Sequence, residues 1–266
     1  MKNRLTPLEN AFPRRTTPLL LTGLVAGDPF LEATREYMDV IVDAGADAVE
    51  LIIPFSDPAY HGPVLRRACD RAMSEKVSWE AVEEMIADFR RDDGNTPVIV
   101  STYYNRVLAR GTTDCAQGLA ESGVDAVRVT DLPAEEAGEF KEEVEGREMA
   151  LIQSIAPSTT KERFRRLAKE ASGLMIWSGH CGAEVTMPPA EFRDRLRDLR
   201  QYTPLPIVAS MNVESGEDAA SVAGACHGVL VQSAIAWLIE GLGANVEERL
   251  GAFVADLRVN LDNIAE

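Results

Sequence analysis

Short, almost wholly apolar runs alternate with amphipathic stretches eight times along this chain, and that alternation restricts the fold more than any other feature. The runs lie at 19–25, 47–53, 97–102, 125–130, 150–155, 174–178, 206–210 and 228–232. Helical periodicity occupies 31–44, 63–73 with 79–90, 113–122, 135–145, 161–171, 189–202, 217–223 and 233–240, and a last helix is expected over 245–264. Strands apolar on both sides belong to a parallel sheet covered by helices. Eight such units in about 240 residues match a single (β/α)8 TIM barrel. A doubly wound open sheet is the alternative, disfavoured because no GxGxxG follows the first strand.

Composition narrows the partners. The chain has 266 residues and a formal net charge of −16, which argues against nucleic acid or an anionic membrane surface. Arg outnumbers Lys 22 to 5, a bias with no functional reading. Cys69, Cys115, Cys181 and Cys226 are widely spaced, as reduced cytosolic thiols are. Residues 1–17 read as an N-terminal extension without a signal-peptide pattern, and no run approaches a membrane span. A single-domain cytoplasmic protein with a small-molecule substrate is expected.

In a barrel the chemistry sits at the C-terminal ends of the strands. Read there, the second strand delivers Glu50 among Ala48, Val49, Leu51, Ile52 and Ile53, followed by His61 after a Pro-bracketed loop. A carboxylate in apolar company either finds a partner or has its pKa raised, which suits a general acid or base. Arg128 is an available partner; alternation sets it on one side of its strand with Ala126 and Thr130, away from Val127 and Val129. The other strand ends offer Tyr103, Ser154, His180 with Cys181, Ser210 with Asn212, and Gln232 with Ser233. The His180-Cys181 spacing fits no zinc pattern, and no metal or cofactor is expected. Gly45-Ala46-Asp47 and Gly123-Val124-Asp125 recur before strands, at the opposite end, where they serve stability.

The segment from Glu50 to Pro58, together with Asp43-Ala44-Gly45-Ala46-Asp47-Ala48, Tyr103 with Asn105, and Gly123-Val124-Asp125 through Asp131-Leu132-Pro133, resembles the tryptophan synthase alpha subunit family. The resemblance runs from Gly27-Asp28-Pro29 to Ser233-Ala234-Ile235. It implies cleavage of indole-3-glycerol phosphate to indole and glyceraldehyde 3-phosphate, with Glu50 as the family's glutamate and Tyr103 as its pocket tyrosine. It also implies a pyridoxal phosphate beta subunit as partner, facing Pro54-Phe55-Ser56-Asp57-Pro58.

The ligand-facing end departs from the family. His61 stands for the aspartate and Arg128 for an apolar residue against the indole ring. Ser210-Met211-Asn212 stands for Gly-Phe-Gly, Gln232-Ser233 for Gly-Ser and Cys181-Gly182 for Thr-Gly. Phosphate cradles need glycine for close backbone approach. The expectation is therefore a divergent lyase or isomerase on a non-phosphorylated anionic or polar substrate. A genuine alpha subunit and a non-catalytic partner of a beta-like subunit are the alternatives.

Overall fold

The computed structural model describes residues 8, 17–179, 189–241, 243 and 245–265. Its strands are β1 (Leu19–Val25), β2 (Ala48–Ile52), β3 (Val98–Thr102), β4 (Ala126–Val129), β5 (Ala150–Leu151), β6 (Gln153–Ile155), β7 (Met175–Ser178), β8 (Ile207–Ser210) and β9 (Gly228–Val231). All pairs are parallel, in the order β5-β4-β3-β2-β1-β9-β8-β7-β6. Only Ile152 separates β5 from β6, and its N–H still donates to the Val127 carbonyl at 2.9 Å. The two ends of the order are thus one piece of chain, pairing with β4 through its first half and with β7 through its second. The sheet closes into the expected (β/α)8 barrel, with 150–155 serving as one interrupted strand.

The helices α1 (Leu31–Asp43), α2 (Pro63–Ser74), α3 (Trp79–Asp92), α4 (Tyr104–Arg110), α5 (Thr112–Glu121), α6 (Gly138–Glu145), α7 (Lys161–Glu170), α8 (Pro189–Arg200), α9 (Gly216–Ala223), α10 (Ser233–Glu240) and α11 (Val246–Asp262) surround it. Several start where the sequence supplies a cap. Pro63 opens α2, and the side chains of Ser78, Thr160 and Ser215 accept the N–H groups of Ala81, Arg163 and Asp218. Helix α4 was not expected. Its first N–H, of Tyr104, is taken by Asp131 Oδ1 at 2.7 Å, a cap from the next strand's exit that local periodicity does not reveal. No described helix is long and apolar enough to cross a membrane.

Alternation along each strand divides the core in two. Residues such as Leu20, Val49, Leu51, Val100, Val127 and Val229 face the helices. Leu19, Leu21, Ala48, Ile99, Ala126, Ala150, Ile152, Leu174, Ile176, Val208 and Leu230 fill the lumen. Leu8, from the segment read as an extension, is fully buried in this inner cluster. Each fully buried Leu or Ile contributes about 1.5–3 kcal/mol.

Two matching clasps tie strands at the bottom of the barrel. Asp47 accepts the Leu20 N–H at 2.8 Å and a 3.0 Å contact from Arg258, while its own N–H donates to the Leu20 carbonyl. Asp125 repeats this with the Val98 N–H at 2.8 Å, the Val98 carbonyl and Arg90. Gly45 (φ 107°) and Gly123 (φ 90°) precede them under the stems of Arg258 and Arg90, where a Cβ would come within 2.8 Å of the arginine Cγ. Positive φ and the arginine overhead both require glycine. His227, also at this end, accepts the Ile207 N–H at 2.9 Å through Nδ1.

Candidate active site

Two residues beyond the last apolar lumen residue of each strand stands the next inward position. Around the barrel these are Gly23, Glu50, Ser101, Arg128, Ser154, Ser178, Ser210 and Gln232. An apolar floor therefore gives way, within one pleat, to a layer of polar side chains and one glycine. A cavity of about 410 Å³ opens above it, lined by His61, Arg128, Thr130, Ser154, Ser178, Ser210, Asn212, Gln232 and Ser233 among others.

Glu50 lies beneath that cavity rather than in its wall. It is fully buried, and Arg128 Nη2 lies 2.6 Å from its Oε1. Its other oxygen, Oε2, accepts from Gln232 Nε2 at 2.5 Å. Ser210 Oγ is 3.2 Å from Gln232 Oε1, which fixes the amide with its nitrogen toward the carboxylate. Gly23 makes room for this arrangement: a Cβ there would sit 2.6 Å from Gln232 Cγ and 3.2 Å from Glu50 Oε2. Of the two settings open to a buried Glu50, the structure has the paired one. The pair is worth keeping intact, since removing one partner of a buried ion pair costs about 3–5 kcal/mol.

His61 is buried at the cavity edge, 7% exposed. Burial, reinforced by the Arg128 and Arg66 charges, lowers its pKa to about 4, so the ring is neutral at physiological pH. Its Nδ1 lies 4.0 Å from Cys69 Sγ, and its Nε2 has no hydrogen-bond partner. Arg66 anchors the loop from below through the His61 carbonyl at 2.9 Å.

Tyr103 stands behind His61, outside the cavity wall. Its hydroxyl accepts the Tyr60 N–H at 3.1 Å, its ring stacks on Phe55 at 5.0 Å and meets the His61 ring edge-on at 5.6 Å. Burial pushes its hydroxyl pKa up to about 12. Asn212 is exposed and occupied by Glu214 at 2.7 Å. Ser233 opens α10 at the cavity edge. His180 and Cys181 lie outside the described residues. Thr130 also lines the cavity, because the same alternation that turns Arg128 inward turns Thr130.

A sequence model of the family described as tryptophan synthase alpha chain matches residues 11–264. The chain belongs to the tryptophan synthase alpha chain family. It is 38% identical over 248 residues to the tryptophan synthase alpha chain of Xanthomonas euvesicatoria pv. vesicatoria (strain 85-10), covering 91% of this chain and 92% of that one. The identity to the alpha chain of Laribacter hongkongensis (strain HLHK9) is 34% over 246 residues, covering 91% and 93%. The crystal structure of tryptophan synthase subunit alpha from Legionella pneumophila str. Paris superposes with a TM-score of 0.91 at 29% identity, covering 98% of this chain and 100% of that one. A chain of the tryptophan synthase complex from Pyrococcus furiosus gives 0.83 at 27%, with 91% and 98% covered. Alpha-chain architecture is thus kept over nearly the whole length, and its inward layer carries Arg128 and Gln232 on the glutamate.

Proposed function

We propose that this chain is a carbon–carbon lyase of the tryptophan synthase alpha type, with Glu50 as its general acid/base. The observation that carries the proposal is the carboxylate set by β2 at the junction of apolar floor and polar layer, directly under the cavity. Retro-aldol cleavage puts a proton on the carbon that leaves and takes one from the hydroxyl on its neighbour. A carboxylate directly under the cavity and an imidazole at its edge are a pair suited to the two halves of that exchange. His61, neutral at working pH, both donates and accepts.

The extent of the family match favours the family's own substrate, indole-3-glycerol phosphate, with His61 serving the indole nitrogen in place of the aspartate. The cavity wall favours a second reading, a polar substrate without the glycerol phosphate tail. Side chains of Ser210, Asn212 and Gln232 stand where phosphate-holding glycines are expected, and Gln232 is committed to Glu50. Incubating the purified protein with indole-3-glycerol phosphate and measuring indole separates the two. Release at a rate typical of enzymes, above about 1 per second, establishes the first. No release by the wild type, nor by His61→Asp, supports the second. Indole from His61→Asp alone makes the chain an alpha subunit one residue from ordinary.

A beta-like pyridoxal phosphate subunit is the proposed partner. Ser56, Asp57, Ala59 and Tyr60 of the loop after β2 are exposed, while Phe55 is held on Tyr103. Co-purification with such a subunit, lost on replacing Asp57 and Tyr60, tests it.

A further inference from the structure

Four polar atoms belonging to the cavity wall are buried without a hydrogen-bond partner: Arg128 Nε, His61 Nε2, Thr130 Oγ1 and Ser154 Oγ. Unpaired buried polar atoms are costly, and their concentration on one cavity points to a ligand that satisfies them. All four can donate. Arg128 Nε only donates. His61 has Nδ1 turned to Cys69 Sγ at 4.0 Å, so Nε2 is the ring nitrogen left unpartnered, and in the tautomer that protonates it Nε2 donates. The two hydroxyls turn to donate. A group that only accepts satisfies all four at once.

We propose that this wall binds a carboxylate of the substrate, with Arg128 shared between that carboxylate and Glu50. The proposal deepens the second reading of the cavity, a polar substrate without the glycerol phosphate tail, and rests on it. Charge favours a monoanion over a dianion. Among the described residues lining the cavity Arg128 is the one cation, and Glu50 already claims it at 2.6 Å. With Arg128 shared, a carboxylate adds one net negative charge at this depth and a phosphate dianion adds two, with Gln232 turned to Glu50. Neither Asn212 nor Gln232 is needed: the first is occupied by Glu214 and the second by Glu50.

The test is calorimetric titration of the whole chain with benzoate, its uncharged isostere benzamide, and inorganic phosphate. It reads binding whether or not the protein turns over any substrate, so its failure is distinct from failure of the lyase reading. Benzoate should bind at least about 10-fold more tightly than benzamide, the usual worth of a hydrogen-bonded charge. Thr130→Val and Ser154→Ala should each weaken benzoate several-fold and leave benzamide unchanged. Glu50→Gln removes the competing carboxylate and should strengthen benzoate by roughly a further 10-fold. Should that variant be too unstable to titrate, its melting temperature should rise with benzoate and not with benzamide. Equal affinity for benzoate and benzamide in the wild type overturns the proposal, and so does phosphate binding more tightly than benzoate.

Discussion

The side-chain amide of Gln232 donates to Oε2 of Glu50 at 2.5 Å, joining the last strand's exit to the second strand across 182 residues of sequence. The carboxylate is thereby held from two sides, by a neutral donor and by the Arg128 cation. Whatever Glu50 does chemically, it does from inside this clamp.

Replacing Glu50 with Gln should cost both activity and stability. Loss of the acid/base lowers kcat by about 10²–10⁴-fold once the substrate is in hand. Arg128 then remains as a buried cation without its partner, so urea unfolding should show a loss of about 3 kcal/mol. Changing Arg128 to Leu in the same protein should recover much of that stability and none of the activity.

Gly23→Ala is expected to disturb the site more than the fold. The new Cβ meets Gln232 Cγ at 2.6 Å, and the glutamine side chain must shift off Glu50. Overpacking of this kind costs about 1–3 kcal/mol. Gln232→Gly in the same background should relieve the clash, as calorimetric melting would show.

His61 makes stability fall with acid. Its folded pKa of about 4 is below the unfolded value near 6.5, so between those limits the unfolded chain binds the proton more strongly. The contribution is intact above pH 6.5 and is lost as pH falls through 4, amounting to about 3 kcal/mol. His61→Phe should flatten that part of the stability–pH profile. In the wild type, the imidazole resonances should stay those of the neutral ring down to about pH 5.

At the other end of the barrel, Asp125→Ala should lower stability by about 2–3 kcal/mol, because the Val98 N–H and Arg90 both lose their acceptor. Benzoate affinity should not change. A change in affinity would show that the clasp and the cavity are coupled.

The barrel is legible in the sequence because burial on both faces gives each strand a continuous apolar run, and closure needs no further signal. The inward layer is legible too: Ala126, Arg128 and Thr130 share a face by alternation alone. What alternation does not supply is who meets whom across the lumen. Arg128 and Gln232 converge on Glu50 from strands far apart in sequence, and shear decides that convergence. Tyr103 is recognisable by its resemblance, but its direction depends on Phe55 and Tyr60 packing on it. The neutral state of His61 depends on burial reinforced by the Arg128 and Arg66 charges, and Arg128 reaches it from a strand distant in sequence. Helix α4 escapes periodicity for the same reason, its cap coming from Asp131.

The repeated clasps have a kinetic meaning as well. One couples β1 to β2 and the other β3 to β4, while nothing equivalent in the described residues links β2 to β3. Amide protons of each clasped pair should therefore exchange with solvent together, as a unit of local opening. Arg258 brings α11 into the first unit through Asp47, so the end of the chain reports on the opening of its beginning.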